Sequence, residues 1–109
     1  MSQSIEALEN QYFLLRGSLS TLIEQGATTN QLDHLRTQIA QSRTNFLTAA
    51  NKNLHDDNPE ITQLVTQLNT QETSLKTTID HLGDVAKVID AITKAVDIGS
   101  QIVAKAVAL

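Results

Sequence analysis

Apolar residues recur every seven positions through the C-terminal half of this 109-residue chain. The recurring positions are Ile61, Leu68, Leu75, Leu82, Ile89 and Val96. Because seven residues make about two turns of an α-helix, this spacing places one apolar stripe along one side of a helix. The pattern predicts an all-α fold, an antiparallel helical bundle or coiled-coil hairpin in which long helices pack side by side.

Breaks in the pattern divide the chain into three long helices and a C-terminal fourth, all within a single domain over residues 1–109. The predicted helices cover about residues 4–25, 29–54, 59–82 and 84–107. In the first helix the apolar residues alternate spacings of three and four: Ile5, Leu8, Tyr12, Leu15, Leu19 and Leu22. Phe13, Leu14 and Ile23 widen this apolar side, which is typical of a helix inside a bundle.

Capping residues support these boundaries. Gly26 is placed to take the left-handed conformation after the first helix. Thr28 and its neighbours offer N-caps for the second helix, and Asn58-Pro59-Glu60 is a well-specified start for the third.

Polar residues interrupt the apolar seams at Ser42, Gln71 and Thr78. Buried polar side chains cost stability unless they are hydrogen-bonded, but they can determine which helices align. Ser42 and Gln71 therefore either pair across two helices or lie at the edge of the seam and reach water. Beyond Ser42 the apolar side of the second helix broadens again, at Leu47, Ala50 and Leu54.

The chain has two alternative paths at Gly83. Gly83 can end the third helix with Asp84 capping the fourth, which gives a hinged four-helix bundle. The seven-residue repeat, however, passes from Leu82 to Ile89 without losing phase. Because an interior glycine costs only about 1 kcal/mol relative to alanine, one continuous arm remains an alternative.

Residues 84–109 are richer in Val, Ile and Ala than the Gln- and Thr-rich chain before them, and a wide apolar arc faces a narrow charged stripe. Three roles are open: a central helix of the bundle, a surface for self-association or a partner helix, or a membrane-bound helix. Membrane contact ranks last because aromatic anchors and a basic polar face are missing. If the arc binds a partner, the expected contact residues are Val85, Val88, Ile92, Val96, Ile102 and Val103.

Composition argues against several function classes. The chain has no cysteine, which excludes disulfides and thiolate metal sites. A net charge of −4 argues against nucleic-acid binding, which needs a basic face. Aromatic residues make up only 3 % of the chain, so the core is expected to be aliphatic.

The residue types that most often bind metals or act in catalysis do not form a recognised motif in this chain. His34, His55 and His81 have no spacing that would aim two metal ligands from one helical turn. Asp56 and Asp57 are expected to solvate a turn, and the glycines lack a phosphate-binding spacing. We therefore expect no enzyme activity, no metal site, no cofactor and no small-molecule substrate.

About a third of the chain resembles the hairpin of type III secretion needle subunits. The matching residues are Asn58-Pro59-Glu60, Leu64, Leu68 and the run Val88-Ile89-Asp90-Ala91-Ile92. Those subunits have a turn with an Asn-Pro or Asp-Pro element followed by a helix of similar length, so the resemblance implies a helical hairpin. The break at Gly26 and the aliphatic tail as far as Leu109 depart from that pattern, and no family is assigned.

Together these features predict a non-enzymatic helical interaction or assembly protein, expected to be bacterial, which binds itself or a protein partner through its C-terminal helix. One alternative is a small immunity- or chaperone-like bundle that sequesters a toxic or secreted partner. Another is a membrane-active amphipathic or needle-like secretion protein. No basic region followed by an apolar run marks a Sec-type signal, so the cytoplasm is the default expectation and leaderless secretion stays open.

Overall fold

The chain folds into four α-helices of similar length. The computed structural model describes residues 3–51, 58–80 and 84–108. The helices are α1 (Gln3–Glu24), α2 (Thr29–Ala50), α3 (Pro59–Asp80) and α4 (Val85–Ala108). The predicted all-α helical bundle is confirmed. The described part of each helix begins and ends within two residues of its predicted limits, except at the end of α2, beyond which residues 52–57 lie outside the description.

Local side-chain chemistry explains where the helices start and stop. Gly26 adopts a left-handed φ of 84° after α1, as its position in the sequence predicts. Thr28 and Gln31 form a reciprocal capping box at the start of α2. The Oδ1 atoms of Asn58 and Asp84 each accept a hydrogen bond from the backbone N–H two residues further on, at 2.8 and 2.9 Å, which caps α3 and α4.

The helices occupy the corners of a bundle in the order α1, α2, α4, α3. Consecutive helices in the sequence run antiparallel, while α2 runs parallel to its neighbour α4, as the pairs His34–Thr93 and Asn45–Ser100 show. α1 and α4 approach each other across one diagonal. Within the described residues α2 and α3 make no close backbone approach, so they lie at opposite corners.

The chain reverses direction between α3 and α4. Nζ of Lys105, in the last turn of α4, lies 3.1 Å from Oε2 of Glu60, in the first turn of α3. One continuous helix would hold these residues tens of ångströms apart, so the alternative of a continuous arm is wrong. Gly83 itself lies outside the described residues.

The apolar core consists of two clusters stacked along the bundle. One holds Ala7, Leu8, Ala49, Ile61, Val65, Leu68, Ala95, Ile102 and Ala106. The other holds Leu15, Leu22, Leu35, Leu75, Ile79, Val88, Ile89, Ile92 and Val96. These side chains are all aliphatic, as the composition predicts. Every position of the seven-residue repeat that the structure describes is buried, and Leu82 lies outside the description.

Buried amide side chains occupy the layer between the two clusters. Nε2 of Gln11 donates to the carbonyl oxygen of Ala95 at 2.7 Å, and Nδ2 of Asn45 donates to Oγ of Ser100 at 3.1 Å. Oε1 of Gln11 is buried and has no hydrogen-bond partner among the described residues. It faces Gly99, where an added Cβ atom would lie 2.7 Å away. The glycine therefore makes room for an amide between α1 and α4.

The polar positions identified in the sequence play smaller parts than this layer. Ser42 is buried, but its hydroxyl donates to the carbonyl of Ile39 within α2. Gln71 lies half-buried on α3, at the opposite corner from α2, so the hypothesis of a Ser42–Gln71 pair is wrong. Thr78 is exposed and donates within its own helix. The buried side chains that do hydrogen-bond between helices are instead Gln11 and Asn45.

A candidate interaction face on α1 and α2

The apolar residues of α4 that the sequence marks for partner binding lie largely inside the bundle. Val88, Ile92, Val96 and Ile102 are almost completely buried against the other helices, and Val85 and Val103 are half-buried. The wide apolar arc is therefore explained by the packing of α4 against α1, α2 and α3. A partner could reach the four buried side chains only if α4 left the bundle. The use of this set as a partner site stays a prediction.

The large apolar side chains that do reach solvent lie on the other pair of helices. Among the described residues these are Phe13, 54 % exposed, Ile23, 50 % exposed, and Leu47, 37 % exposed. The expectation that Phe13 and Ile23 widen a buried side of α1 is wrong, although Leu14 does pack against the core. At about 100° per residue, Phe13 falls almost opposite the buried side of α1, and Ile23 falls between Phe13 and the side that packs against α2.

An aromatic cluster forms the centre of this surface. The ring of Tyr12 lies 5.5 Å from the ring of Phe13 and 6.5 Å from that of Phe46, measured between centroids. Tyr12 and Phe46 are half-buried in the groove between α1 and α2, and Leu47 follows directly on α2. The three aromatic residues of the chain thus lie together. We call the surface formed by Tyr12, Phe13, Phe46 and Leu47 the aromatic face.

Charged residues flank the aromatic face on two sides. Arg16 and Arg43 are exposed about one helical turn from the aromatic cluster, toward the end of α1. Glu9 lies on the other side, toward the start of α1, whereas Glu6 lines a groove between α1 and α3. None of these four side chains makes an ion pair with another described residue. The third arginine, Arg36, lies about two turns before Arg43 on α2, and its Nη1 lies 3.4 Å from Oδ1 of Asp33.

A groove between α1 and α3 holds the carboxyl group with the most altered environment. Burial raises the pKa of Glu72 from 4.5 to about 7. Its Oε1 atom is buried and has no hydrogen-bond partner among the described residues. Lys76, one turn further along α3, lines the same groove with Asn10 and Asn69. This carboxyl group therefore exchanges its proton close to neutral pH.

A second groove, of about 370 Å³, lies between α3 and α4. Lys87, Asp90 and Lys94 line it, and Gln71 contributes an Oε1 atom that is buried without a partner among the described residues. A specific small-molecule site needs several convergent polar groups. Here Gln71 supplies the buried acceptor, while Ser74, Thr78 and the charged side chains of the groove are exposed.

The histidines and carboxylates considered as chemical groups are only partly visible. Nε2 of His34 lies 2.9 Å from the hydroxyl of Thr93 on α4, so this exposed ring links two helices. His55, His81, Asp56 and Asp57 lie outside the described residues. No group of three potential metal ligands occurs in the part of the chain that the structure describes.

No protein-family model matches the chain, and comparison with curated proteins and with solved structures gives no significant match. None of the four helices, over their described residues, is both long and apolar enough to cross a membrane.

The sequence pattern does not reveal the aromatic face, because apolar residues next to a seam are expected to be buried. One signal was available: the aromatic residues and arginines of the chain all fall within residues 12–46. Outside α1 and α2 the basic residues are all lysines. Only the pairing of α1 with α2 brings the aromatic residues onto one surface.

Proposed function

We propose that this protein is a non-enzymatic interaction module that binds a protein through the aromatic face of α1 and α2. The observation that carries the proposal is the exposure of Phe13 and Leu47 beside the half-buried rings of Tyr12 and Phe46. Scattered single apolar residues need no explanation on a protein surface, but a contiguous group marks an interaction site. This group is contiguous across two helices.

The residue types support a protein partner. Aromatic residues and arginine are enriched at protein–protein interfaces, and lysine is depleted there. The aromatic face has Arg16 and Arg43 at its border, whereas the helices α3 and α4 carry only lysines as basic residues. Tyr12 and Phe13 have few rotatable bonds, so ordering them on binding costs little conformational entropy.

Site-specific photo-crosslinking in cells of the native host tests the proposal. A photoreactive phenylalanine analogue replaces Phe13, which it resembles in shape and position. The matched control carries the same analogue at Thr70, an exposed residue of α3, the helix at the opposite corner from α2. We expect discrete protein adducts from position 13, at least tenfold stronger than from position 70.

The mass of the adduct separates two kinds of partner. A band at twice the mass of the chain identifies a second copy, and any other discrete band identifies a different protein. Both outcomes support binding through the aromatic face. Equal labelling from positions 13 and 70, or no adduct at either position, would overturn the proposal.

A further inference from the structure

We infer that the partner of the aromatic face is a second copy of this chain, docked across a two-fold axis with the two α1 helices antiparallel. The inference rests on the proposed function and names its partner. It comes from the order of charges along α1, in which Glu9 precedes the aromatic pair and Arg16 follows it.

The charges are symmetric about the aromatic pair. Glu9 lies three residues before Tyr12, and Arg16 lies three residues after Phe13. A two-fold axis between positions 12 and 13 therefore places Glu9 of each copy opposite Arg16 of the other, and Phe13 opposite Tyr12. A two-fold interface requires this self-complementarity, since each residue contact occurs twice.

The charges that would pair are not already paired. Neither Glu9 nor Arg16 has an ion-pair partner among the described residues, so docking does not have to break existing pairs. Arg43, on α2, borders the aromatic face beside Arg16, whereas Glu6 lies on the side of α1 that lines a groove with Thr66 of α3. The charge match across the two-fold axis therefore rests on Glu9 and Arg16.

The available area is sufficient for a dimer. The bundle measures 42 × 21 × 19 Å, so one long side offers an area close to the roughly 800 Å² that each partner contributes to a stable interface. The apolar centre is small compared with that area, and the charged border remains exposed to salt. We therefore expect a dimer that forms reversibly at micromolar concentrations and weakens as salt is added.

Sedimentation equilibrium of the full chain, from about 1 μM to 1 mM, tests the inference through a charge-swap cycle. Arg16→Glu places like charges opposite each other twice, and we expect the dimer dissociation constant to rise at least tenfold. Adding Glu9→Arg to that variant restores the opposite-charge pairs, and we expect recovery to within about threefold of the wild type. Lys87→Glu, on the α3–α4 side, makes the same charge change and leaves the constant unaltered.

Disulfide trapping tests the orientation independently, because the chain has no cysteine of its own. Glu9→Cys and Arg16→Cys variants, mixed and oxidised, are expected to form the mixed 9–16 dimer in preference to either like pair. If the two α1 helices ran parallel, 9–9 and 16–16 disulfides would form in preference. Thermal unfolding followed by circular dichroism verifies that each variant is folded.

Three results would overturn the inference. They are a wild-type chain that stays monomeric at 1 mM, a dimer indifferent to Arg16→Glu, and preferential trapping of like pairs. A monomeric chain that still forms a photo-adduct with another protein from position 13 would overturn this inference and leave the proposed function standing. Absence of both dimer and adduct would remove both.

Discussion

Replacing Gly99 by alanine measures how closely the amide layer is packed between α1 and α4. In an ordinary helix interior this change stabilises a protein by about 1 kcal/mol, because alanine has the higher helix propensity. Here the new Cβ atom would lie 2.7 Å from Oε1 of Gln11 and 3.2 Å from Cδ2 of Leu8. The first distance is far inside van der Waals contact, so a side chain must move.

Moving the Gln11 side chain costs more free energy than the higher helix propensity of alanine gains. Gln11 is fully buried, and turning its amide away gives up the 2.7 Å hydrogen bond to the carbonyl of Ala95. Overpacking a core costs about 1–3 kcal/mol, and a lost hydrogen bond adds about 1 kcal/mol. Subtracting the propensity gain leaves a destabilisation of about 1–3 kcal/mol, which lowers the melting temperature by about 5–15 °C.

Urea unfolding of the Gly99→Ala variant provides the assay, and Gly17→Ala provides the matched control. An added Cβ atom at Gly17, on the exposed side of α1, meets nothing within 4 Å. We expect Gly17→Ala to stabilise the fold by up to about 1 kcal/mol. Gln11→Ala, combined with Gly99→Ala, is expected to recover at least about 1 kcal/mol relative to additivity. Shifts of both glycine variants in the same direction would show that Gly99 is not closely packed against Gln11.

Three further predictions concern α3 and α4. The pKa of Glu72 is raised to about 7 in the folded state, so the folded protein binds the proton more tightly than the unfolded chain does. Stability is therefore greatest below pH 4.5 as far as this group is concerned, and it falls as the pH rises from 4.5 to about 7. Glu72→Gln is expected to stabilise the fold by about 1 kcal/mol at pH 8, a value reduced by the partial exposure of the side chain. At pH 4.5 the same substitution is expected to change stability little. An equal gain at both pH values in urea unfolding would contradict this. Ile92→Ala is expected to lower the free energy of unfolding by about 2–5 kcal/mol because Ile92 is fully buried, and a loss below 1 kcal/mol would show that α4 is not core. Lys105→Ala removes an exposed ion pair with Glu60 and is expected to change thermal stability by less than about 0.5 kcal/mol, so a larger loss would be evidence against a surface pair.

The sequence predicts the helices well because their signals are local. An apolar repeat, a glycine after α1 and caps such as Asn58 act within one or two turns, and each is visible in the order of residues. On the exposed side of α3, threonine hydroxyls donate to carbonyls four residues earlier, which is again a local contact. These features need no knowledge of which helices meet.

The candidate site was much less predictable. Periodicity identifies the apolar residues of a helix but not how many of them its neighbours cover. From periodicity, Phe13 is expected in the core, and Val88 and Ile92 are expected on a binding surface. In the structure Phe13 is exposed, and Val88 and Ile92 are buried. Coverage is a property of the assembled bundle.

By itself, the sequence determined that the chain forms amphipathic helices with an aliphatic core, because helix formation depends on neighbours within a few residues, but it left open whether the chain turns at Gly83. Tertiary structure alone decided that α4 lies beside α1, α2 and α3, that Gln11 meets Gly99, and that Tyr12, Phe13 and Phe46 form one surface. These contacts join residues as many as 84–91 positions apart, and nothing in local periodicity selects one such pairing over another. The partners are chosen by how side-chain volumes and buried amides fit when all four helices pack together.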